Sequence, residues 1–83
     1  MSEPNLPSPL AAAVRGRRRA LGLRQSEIAD LAGVSERFVL SVESGKNTLR
    51  LDKLLALLTA LGLHLELHRG AAEDVRTAPG LEA

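Results

Sequence analysis

Cysteine, tryptophan and tyrosine are absent from this 83-residue sequence, and Phe38 is its one aromatic residue. Without cysteine, neither a disulfide nor a thiolate-bound metal can hold the chain together. No run of about twenty apolar residues is present, so the sequence predicts no membrane-spanning helix. The first residues lack the basic and apolar regions of a signal peptide, and we therefore expect a cytoplasmic protein with no membrane partner.

Aliphatic side chains supply the apolar content, because 45% of the chain is hydrophobic but only 1% is aromatic. A leucine-rich composition of this kind favours helices over an all-β fold. A chain of this length forms one domain at most and buries a small fraction of its surface, so its monomer should be only marginally stable. Regular helix packing or oligomerisation is expected to supply the remaining stability.

Positive charge is concentrated in the first half of the chain, although the net charge of the whole is only +1. Residues 15–50 contain eight basic and four acidic residues, whereas residues 51–83 contain three basic and five acidic residues. This asymmetry indicates an anionic partner for the first half. A solvated helix face would produce the same local pattern.

Four segments have the apolar spacing and the end residues of short helices. They span about 10–21, 25–32, 36–44 and 53–61, and a glycine follows each: Gly22, Gly33, Gly45 and Gly62. Ser8 and Pro9 form a strong start for the first helix, and Ser35 is a strong N-cap for the third. The inward residues predicted for the first three helices are Leu10, Val14, Arg18, Leu21, Ile28, Ala29, Ala32, Val39 and Val42.

The fourth predicted helix is almost entirely apolar. We expect Asp52 to cap it and the preceding Leu51 to be buried. Its apolar stripe is predicted to consist of Leu54, Leu55, Leu58 and Leu61. Leu57 lies to one side of that stripe, and such a lateral leucine suggests a second packed surface.

The period of the pattern changes after Gly62, where "LHLELH" alternates apolar and polar residues over residues 63–68. Strict alternation predicts a β-strand with Leu63, Leu65 and Leu67 on one face. Since a lone strand cannot satisfy its own backbone, we expect it to pair with a second copy of the chain in a two-fold dimer. In the alternative, these leucines continue the fourth helix or cover it as a coil.

The sequence contains no acid pair, no nucleophile beside a base and no glycine-rich phosphate loop. His64 and His68 could share a metal ion on a helix, but on the predicted strand they would lie about 13 Å apart. We therefore expect no enzyme activity, no metal and no cofactor.

The segment "AGVS", residues 32–35, joins the second and third predicted helices at a tight corner. Ala32 permits close helix approach, Gly33 supplies the turn, and Val34 fills the space beneath it. Ser35 then starts the third helix at a steep angle, so that its first half protrudes. A protruding short helix fits the major groove of DNA.

Several motifs, in the same order and spacing, resemble those of phage repressor and Cro proteins, the XRE family. They are "LRQSEIA", "AGVS", "VLSVESGK" and "LLALLTALG", within residues 10–62. The resemblance implies an all-α, lambda-repressor-like helix-turn-helix bundle of four to five short helices. Together with the alternating segment, it predicts a C-terminal β-strand that pairs across a homodimer.

The same resemblance implies roles for particular side chains. Bases would be read by Glu36, Arg37, Phe38 and Ser41, with Arg37 suited to guanine and Phe38 to a thymine methyl. In the alternative, Phe38 packs on its own protein. Phosphates would be contacted by Arg24, Gln25, Ser44, Lys46, Asn47 and Thr48. Arg18 would pair with Glu43 to hold the third helix at its docking angle, unless Arg18 is a surface residue.

The fourth helix followed by "ALGL" and the alternating segment is similar to HipB-like antitoxins. This implies a protein that represses its own operon from a palindromic DNA operator and binds a HipA-type Ser/Thr kinase toxin. The alternatives are a stand-alone repressor and a protein-bridging module. Dimer contacts would come from Leu57, Leu63, Leu65 and Leu67. We expect a flexible segment at 1–9, a DNA-binding domain at 10–62, a dimerisation strand at 63–69 and a flexible tail at 70–83.

Overall fold

A computed structural model describes residues 8–66 and residue 69 of the chain, and four helices account for most of that part. The helices are α1 (Pro9–Ala20), α2 (Gln25–Ala32), α3 (Glu36–Glu43) and α4 (Leu51–Ala60). The all-helical class and the order of the four predicted helices are therefore confirmed. Residues 1–7 and 70–83 of the segments predicted to be flexible, and the predictions for Leu67 and His68, lie outside the described residues. Ser8 and Pro9, which belong to the first of those segments, instead begin α1. None of the helices described has the length and apolar content needed to cross a membrane.

Serine caps begin two of the helices as predicted. The Ser8 hydroxyl accepts a hydrogen bond from the Ala11 amide at 3.2 Å, and Pro9 occupies the first helical position. The Ser35 hydroxyl accepts from the Phe38 amide at 3.0 Å. Each cap satisfies an amide that has no partner inside the helix, which fixes where α1 and α3 begin.

The corner between α2 and α3 depends on the backbone of Gly33, whose φ is +74°. Residues other than glycine rarely adopt this left-handed conformation. The next amide, that of Val34, donates to the Ala29 carbonyl at 3.0 Å, which closes the end of α2. Val34 itself packs against the hydrophobic core. The turn at Gly33 and the packing of Val34 beneath it, both predicted from "AGVS", are thus present.

The hydrophobic core draws side chains from all four helices. Its buried members are Val14, Ile28, Ala29, Val39, Val42, Leu54, Leu57, Leu58 and Leu61. α2 packs against α3 and α4, and α1 packs against α3. The side of α3 that carries Val39 and Val42 therefore packs against the rest of the domain, and the opposite side of α3 faces outward.

The predicted boundaries and stripe of α4 are partly wrong. The helix begins at Leu51 after Arg50, so Asp52 lies in its first turn rather than at its cap. Leu51 is 60% exposed and Leu55 is 42% exposed, whereas Leu57 is 0% exposed. Leu57 therefore belongs to the core and not to a lateral surface, which is incompatible with the dimer contact predicted for it. Stripes through position 55 or position 57 both have helical spacing, and packing against α2 selects the second.

Leu21 also departs from the prediction, because it is 43% exposed instead of facing the core. α1 ends at Ala20, and Leu21 is the residue that caps its C-terminal end. The predicted helical face was extended one residue beyond the last turn, where the chain already leaves the helix.

Residues 63–66 form neither a helix nor a strand in the part of the chain that the structure describes. Leu63 is half-buried and packs against the core, while Leu65 is 47% exposed. The alternative in which these residues continue α4 is therefore wrong. A strand that pairs with a second subunit requires that subunit, so the predicted dimer strand stays a prediction.

Candidate nucleic-acid interface

The outward side of α3 forms a continuous surface, which we call the α3 outer face. It consists of Arg37, Leu40, Ser41 and the following Ser44, which recur at the spacing of one side of a helix. Arg37 and Ser44 are exposed, Ser41 is half-buried, and Leu40 is 54% exposed. The opposite side of the helix buries Val39, Val42 and Glu43.

The predicted base-reading residues do not occupy equivalent positions. Glu36 and Arg37 are exposed in the first turn of α3, and Ser41 follows Arg37 one turn later. Phe38 is half-buried and packs against the hydrophobic core, while its amide donates to Ser35. The contact of Phe38 with its own protein is therefore present, and only part of the ring remains free for another molecule.

A buried ion pair joins α1 to the last residue of α3. Arg18 Nε donates to Glu43 Oε2 at 2.6 Å, and Arg18 Nη2 donates to Glu43 Oε1 at 2.8 Å. The side chains are only 11% and 3% exposed, respectively. Arg18 is therefore no surface residue, and the predicted pair is present in a bidentate geometry that fixes relative orientation as well as distance.

Three further groups complete the surroundings of this pair. Arg18 Nη1 donates to the Leu23 carbonyl at 2.9 Å, and Gln25 Nε2 donates to Glu43 Oε1 at 3.1 Å. Arg15 Nη2 donates to the Glu43 carbonyl oxygen at 2.8 Å. Among the described residues, no buried side-chain nitrogen or oxygen is left without a hydrogen bond. The network ties α1, the start of α2 and the end of α3 together.

The pair is held in its charged form. Burial raises the pKa of the Glu43 carboxyl, but hydrogen bonds from Arg18 and Gln25 and the positive charges of Arg18 and Arg15 lower it by more, so the pKa lies below its ordinary value. The hydrogen bond to Glu43 raises the pKa of Arg18 further above its ordinary value. Both groups are therefore ionised at neutral pH.

The residues predicted to contact phosphates occupy two short segments, one before and one after α3 in the sequence. Arg24 and Gln25 stand at the start of α2, and the others lie in the segment after α3: Ser44, Lys46, Asn47 and Thr48. The Gln25–Glu43 hydrogen bond brings the start of α2 against the end of α3. Gln25 uses one amide hydrogen for this bond and retains a second donor. Its contact with Glu43 is therefore compatible with a phosphate contact.

Three residues of this region were not predicted from the sequence: Arg15, Arg17 and Leu40. Leu40 lies three residues after Arg37, a spacing that places it on the outer face. Arg15 donates to the end of α3, and Arg17 Nε donates to the Leu61 carbonyl at 2.8 Å, just after α4. Cations near helix C-termini offset the partial negative charge of the last carbonyls. The sequence shows the run of basic residues in α1. It does not show which carbonyls they bind, because a backbone carbonyl is present at every residue.

The comparisons with known proteins agree on one kind of domain. The helix-turn-helix family model HTH_3 matches residues 14–68. The HTH-type transcriptional regulator y4mF of Sinorhizobium fredii, itself uncharacterized, is 39% identical over 61 residues, which cover 74% of this chain and 80% of that protein.

Solved structures give the same result. The restriction-modification controller protein C.AhdI from Aeromonas hydrophila is 34% identical, with a TM-score of 0.61 over 68% of this chain and 85% of that one. A chain of the HipB-O1-O2 complex is 25% identical, with a TM-score of 0.67 over 82% of this chain and 99% of that one. A chain of the HipA-HipB-O2-O3 complex, 24% identical, shares the fold with a TM-score of 0.69 over 86% of this chain and all of its own length.

Replacing Glu43 with glutamine should lower the free energy of unfolding by roughly 3–5 kcal/mol at neutral pH, because Arg18 would remain buried without its counter-ion. The pKa of Glu43 is lowered in the folded state, so its contribution is complete at neutral pH and is lost as the pH falls below the ordinary carboxyl value. Urea unfolding of the parent and Glu43→Gln proteins between about pH 7 and about pH 3 measures both effects.

The matched control is Asp30→Asn, which neutralises an exposed acid on α2. It should change the stability by no more than about 0.5 kcal/mol. If the Glu43→Gln protein is as stable as Asp30→Asn at neutral pH, the ion pair does not have the structural role described.

Proposed function

Because the chain belongs to the XRE-type helix-turn-helix family of DNA-binding transcriptional regulators, we propose that it is a HipB-like antitoxin. In this proposal it represses its own operon as a homodimer on a palindromic operator and binds a HipA-type Ser/Thr kinase toxin. The observation that carries the DNA-binding part is the α3 outer face, which is exposed while the other side of α3 is held in the core.

Arg37 is the side chain best placed to specify a base. Its guanidinium is exposed on the outer face and can donate two parallel hydrogen bonds to the major-groove edge of guanine. Glu36, one position earlier, can accept from a cytosine amine, and the Ser41 hydroxyl can both donate and accept. Phe38 contributes at most the free part of its ring, because the rest packs on the core.

The two segments beside α3 supply the contacts that position the protein on the duplex. Phosphate contacts carry no sequence information, but they fix register and make binding depend on salt. Arg24 and Lys46 are exposed cations on opposite sides of α3 in the sequence, and Gln25 has a free amide hydrogen. In this arrangement, the Arg18–Glu43 pair and its hydrogen bond from Gln25 hold the start of α2 against the end of α3, where the second segment begins.

Dimerisation is proposed to occur through the residues that follow α4. Leu65 is 47% exposed, and it alternates with exposed polar residues in the manner of a strand edge. Leu51 and Leu55 lie one turn apart on α4 and are also exposed, so they can extend the apolar surface that Leu57 does not provide. A dimer would place two α3 outer faces on one duplex, which a palindromic operator requires.

The toxin partner is supported by two observations of different kinds. The alternating segment after α4 is the feature that resembles HipB-like antitoxins, and a chain of the HipA-HipB-O2-O3 complex has the same fold over its full length. The second candidate is a stand-alone transcriptional regulator. It is favoured by the higher identity to y4mF, which is named an HTH-type transcriptional regulator.

Arg37→Ala should weaken binding to the preferred duplex by roughly 1–3 kcal/mol, because one bidentate base contact is lost. The preferred duplex is first selected by the parent protein from a pool of randomised duplexes. Affinity for that duplex and for a scrambled duplex is then measured at several salt concentrations. Arg37→Ala should lose affinity mainly for the selected duplex.

Lys46→Ala is the matched control for this experiment. It should weaken both duplexes about equally and reduce the salt slope by about one, since it removes a phosphate contact. Equal binding of the parent and Arg37→Ala proteins to the selected duplex at the same salt would show that Arg37 reads no base.

Expression of the chain with the genes that neighbour it, followed by size-exclusion chromatography with light scattering, tests the assembly. The proposal predicts a complex that contains two copies of this chain and a kinase-like protein. Leu65→Glu should reduce the isolated chain from dimer to monomer, because it places a charge in the apolar contact. Leu31→Glu, which changes an exposed leucine on α2, is the control and should leave the mass unchanged.

A parent chain that is monomeric at every concentration would contradict the proposed dimer. A dimer that binds its selected duplex but retains no kinase-like protein would favour the stand-alone regulator.

A further inference from the structure

We propose that Leu40 contacts the methyl group of a thymine in the major groove and thereby helps to determine which DNA sequence the protein prefers. This inference rests on the proposed DNA-binding function and assigns a residue to it that the sequence analysis did not include. It makes Leu40, rather than Phe38, the principal apolar reader of α3.

Leu40 differs in exposure from the other large apolar residues of α3. It is the one large hydrophobic residue of α3 that the structure records as exposed, at 54%. Its neighbours on the outer surface of the helix are polar: Glu36 one turn before it, Arg37 and Ser41 beside it, and Ser44 one turn after it. Leu40 therefore presents an apolar side chain within a polar surface that is oriented away from the core.

Thymine offers the matching chemistry. Its C5-methyl group is the apolar group that base edges display in the major groove, where the other groups are hydrogen-bond donors and acceptors. An aliphatic side chain that meets this methyl removes apolar surface from water on both molecules. Polar neighbours cannot make this contact, so Leu40 and Arg37 would read different kinds of base.

The spacing along α3 agrees with reading by both residues. Leu40 lies three residues after Arg37, a rise of about 4.5 Å along a helix. Base pairs in a duplex are spaced by about 3.4 Å. With α3 lying along the groove, the thymine contacted by Leu40 would fall one or two base pairs from the guanine contacted by Arg37.

Phe38 is the competing apolar residue, and its surroundings argue against it. Its ring packs against the hydrophobic core and is already half-buried without DNA. Moving the ring outward would remove that packing, whereas Leu40 loses no core contact by meeting a base. The structure therefore favours Leu40 for the methyl contact.

Single thymines of the selected duplex are replaced one at a time by deoxyuridine, which removes only the methyl group. The parent protein should lose about fourfold in affinity at one position of each half-site, which is the value of one buried methyl group. Leu40→Ala should bind the unmodified duplex more weakly by at least that factor and should show no further loss at that position. Leu31→Ala, in which an exposed leucine of α2 is changed, should retain the full sensitivity of the parent.

The folded content of each variant is checked by circular dichroism, and Leu40→Ala should match the parent because the side chain is exposed. The inference is overturned if Leu40→Ala keeps the parent's loss at every position, or if no thymine methyl affects the parent. It is also overturned if Phe38→Leu, but not Leu40→Ala, abolishes the sensitivity. Failure of the parent to select any duplex would instead reject the DNA-binding proposal itself.

Discussion

The rest of the domain depends on one buried contact, in which the guanidinium of Arg18 donates hydrogen bonds to both carboxylate oxygens of Glu43. Removing two charges from water is costly, and the cost is offset only when every polar atom finds a partner. Further hydrogen bonds come from Arg15 in α1, from the Leu23 carbonyl before α2 and from Gln25 at the start of α2. Any rotation of α3 would break several of these bonds together, so the network defines how the outer face is presented.

Much of this arrangement could be predicted because it is local. The Ser8 and Ser35 side chains accept hydrogen bonds from backbone amides within one turn, and the left-handed conformation after α2 requires Gly33. Each of these features needs a particular residue type at a particular position, so the sequence predicts it. The Arg18–Glu43 pair joins residues that are 25 positions apart in the sequence, and the spacing of residues alone does not predict it. It was predicted because a charged residue stood on an apolar stripe and the motifs resembled those of the XRE family.

The wrong predictions concern segments whose sequence pattern is compatible with more than one packing arrangement. α4 offers leucines on nearly every side, so stripes through Leu55 and Leu57 are both helical, and only packing against α2 decides between them. Leu40 received no role from the sequence, although its spacing from Arg37 places it on the outward side of α3. Arg17 binds a backbone carbonyl, and such acceptors exist at every residue, so no sequence pattern could have indicated its contact with Leu61.

We propose that the buried pair orients α3 for DNA, in addition to stabilising the fold. The double substitution Arg18→Met with Glu43→Leu separates these roles, since replacing a buried ion pair by apolar residues is often neutral for stability. The measurement is the ratio of affinities for the selected and the scrambled duplex. The expected result is a folded protein whose preference for the selected duplex falls by about tenfold or more, the value of at least one lost base contact. A folded double variant with the parent's full preference would contradict it.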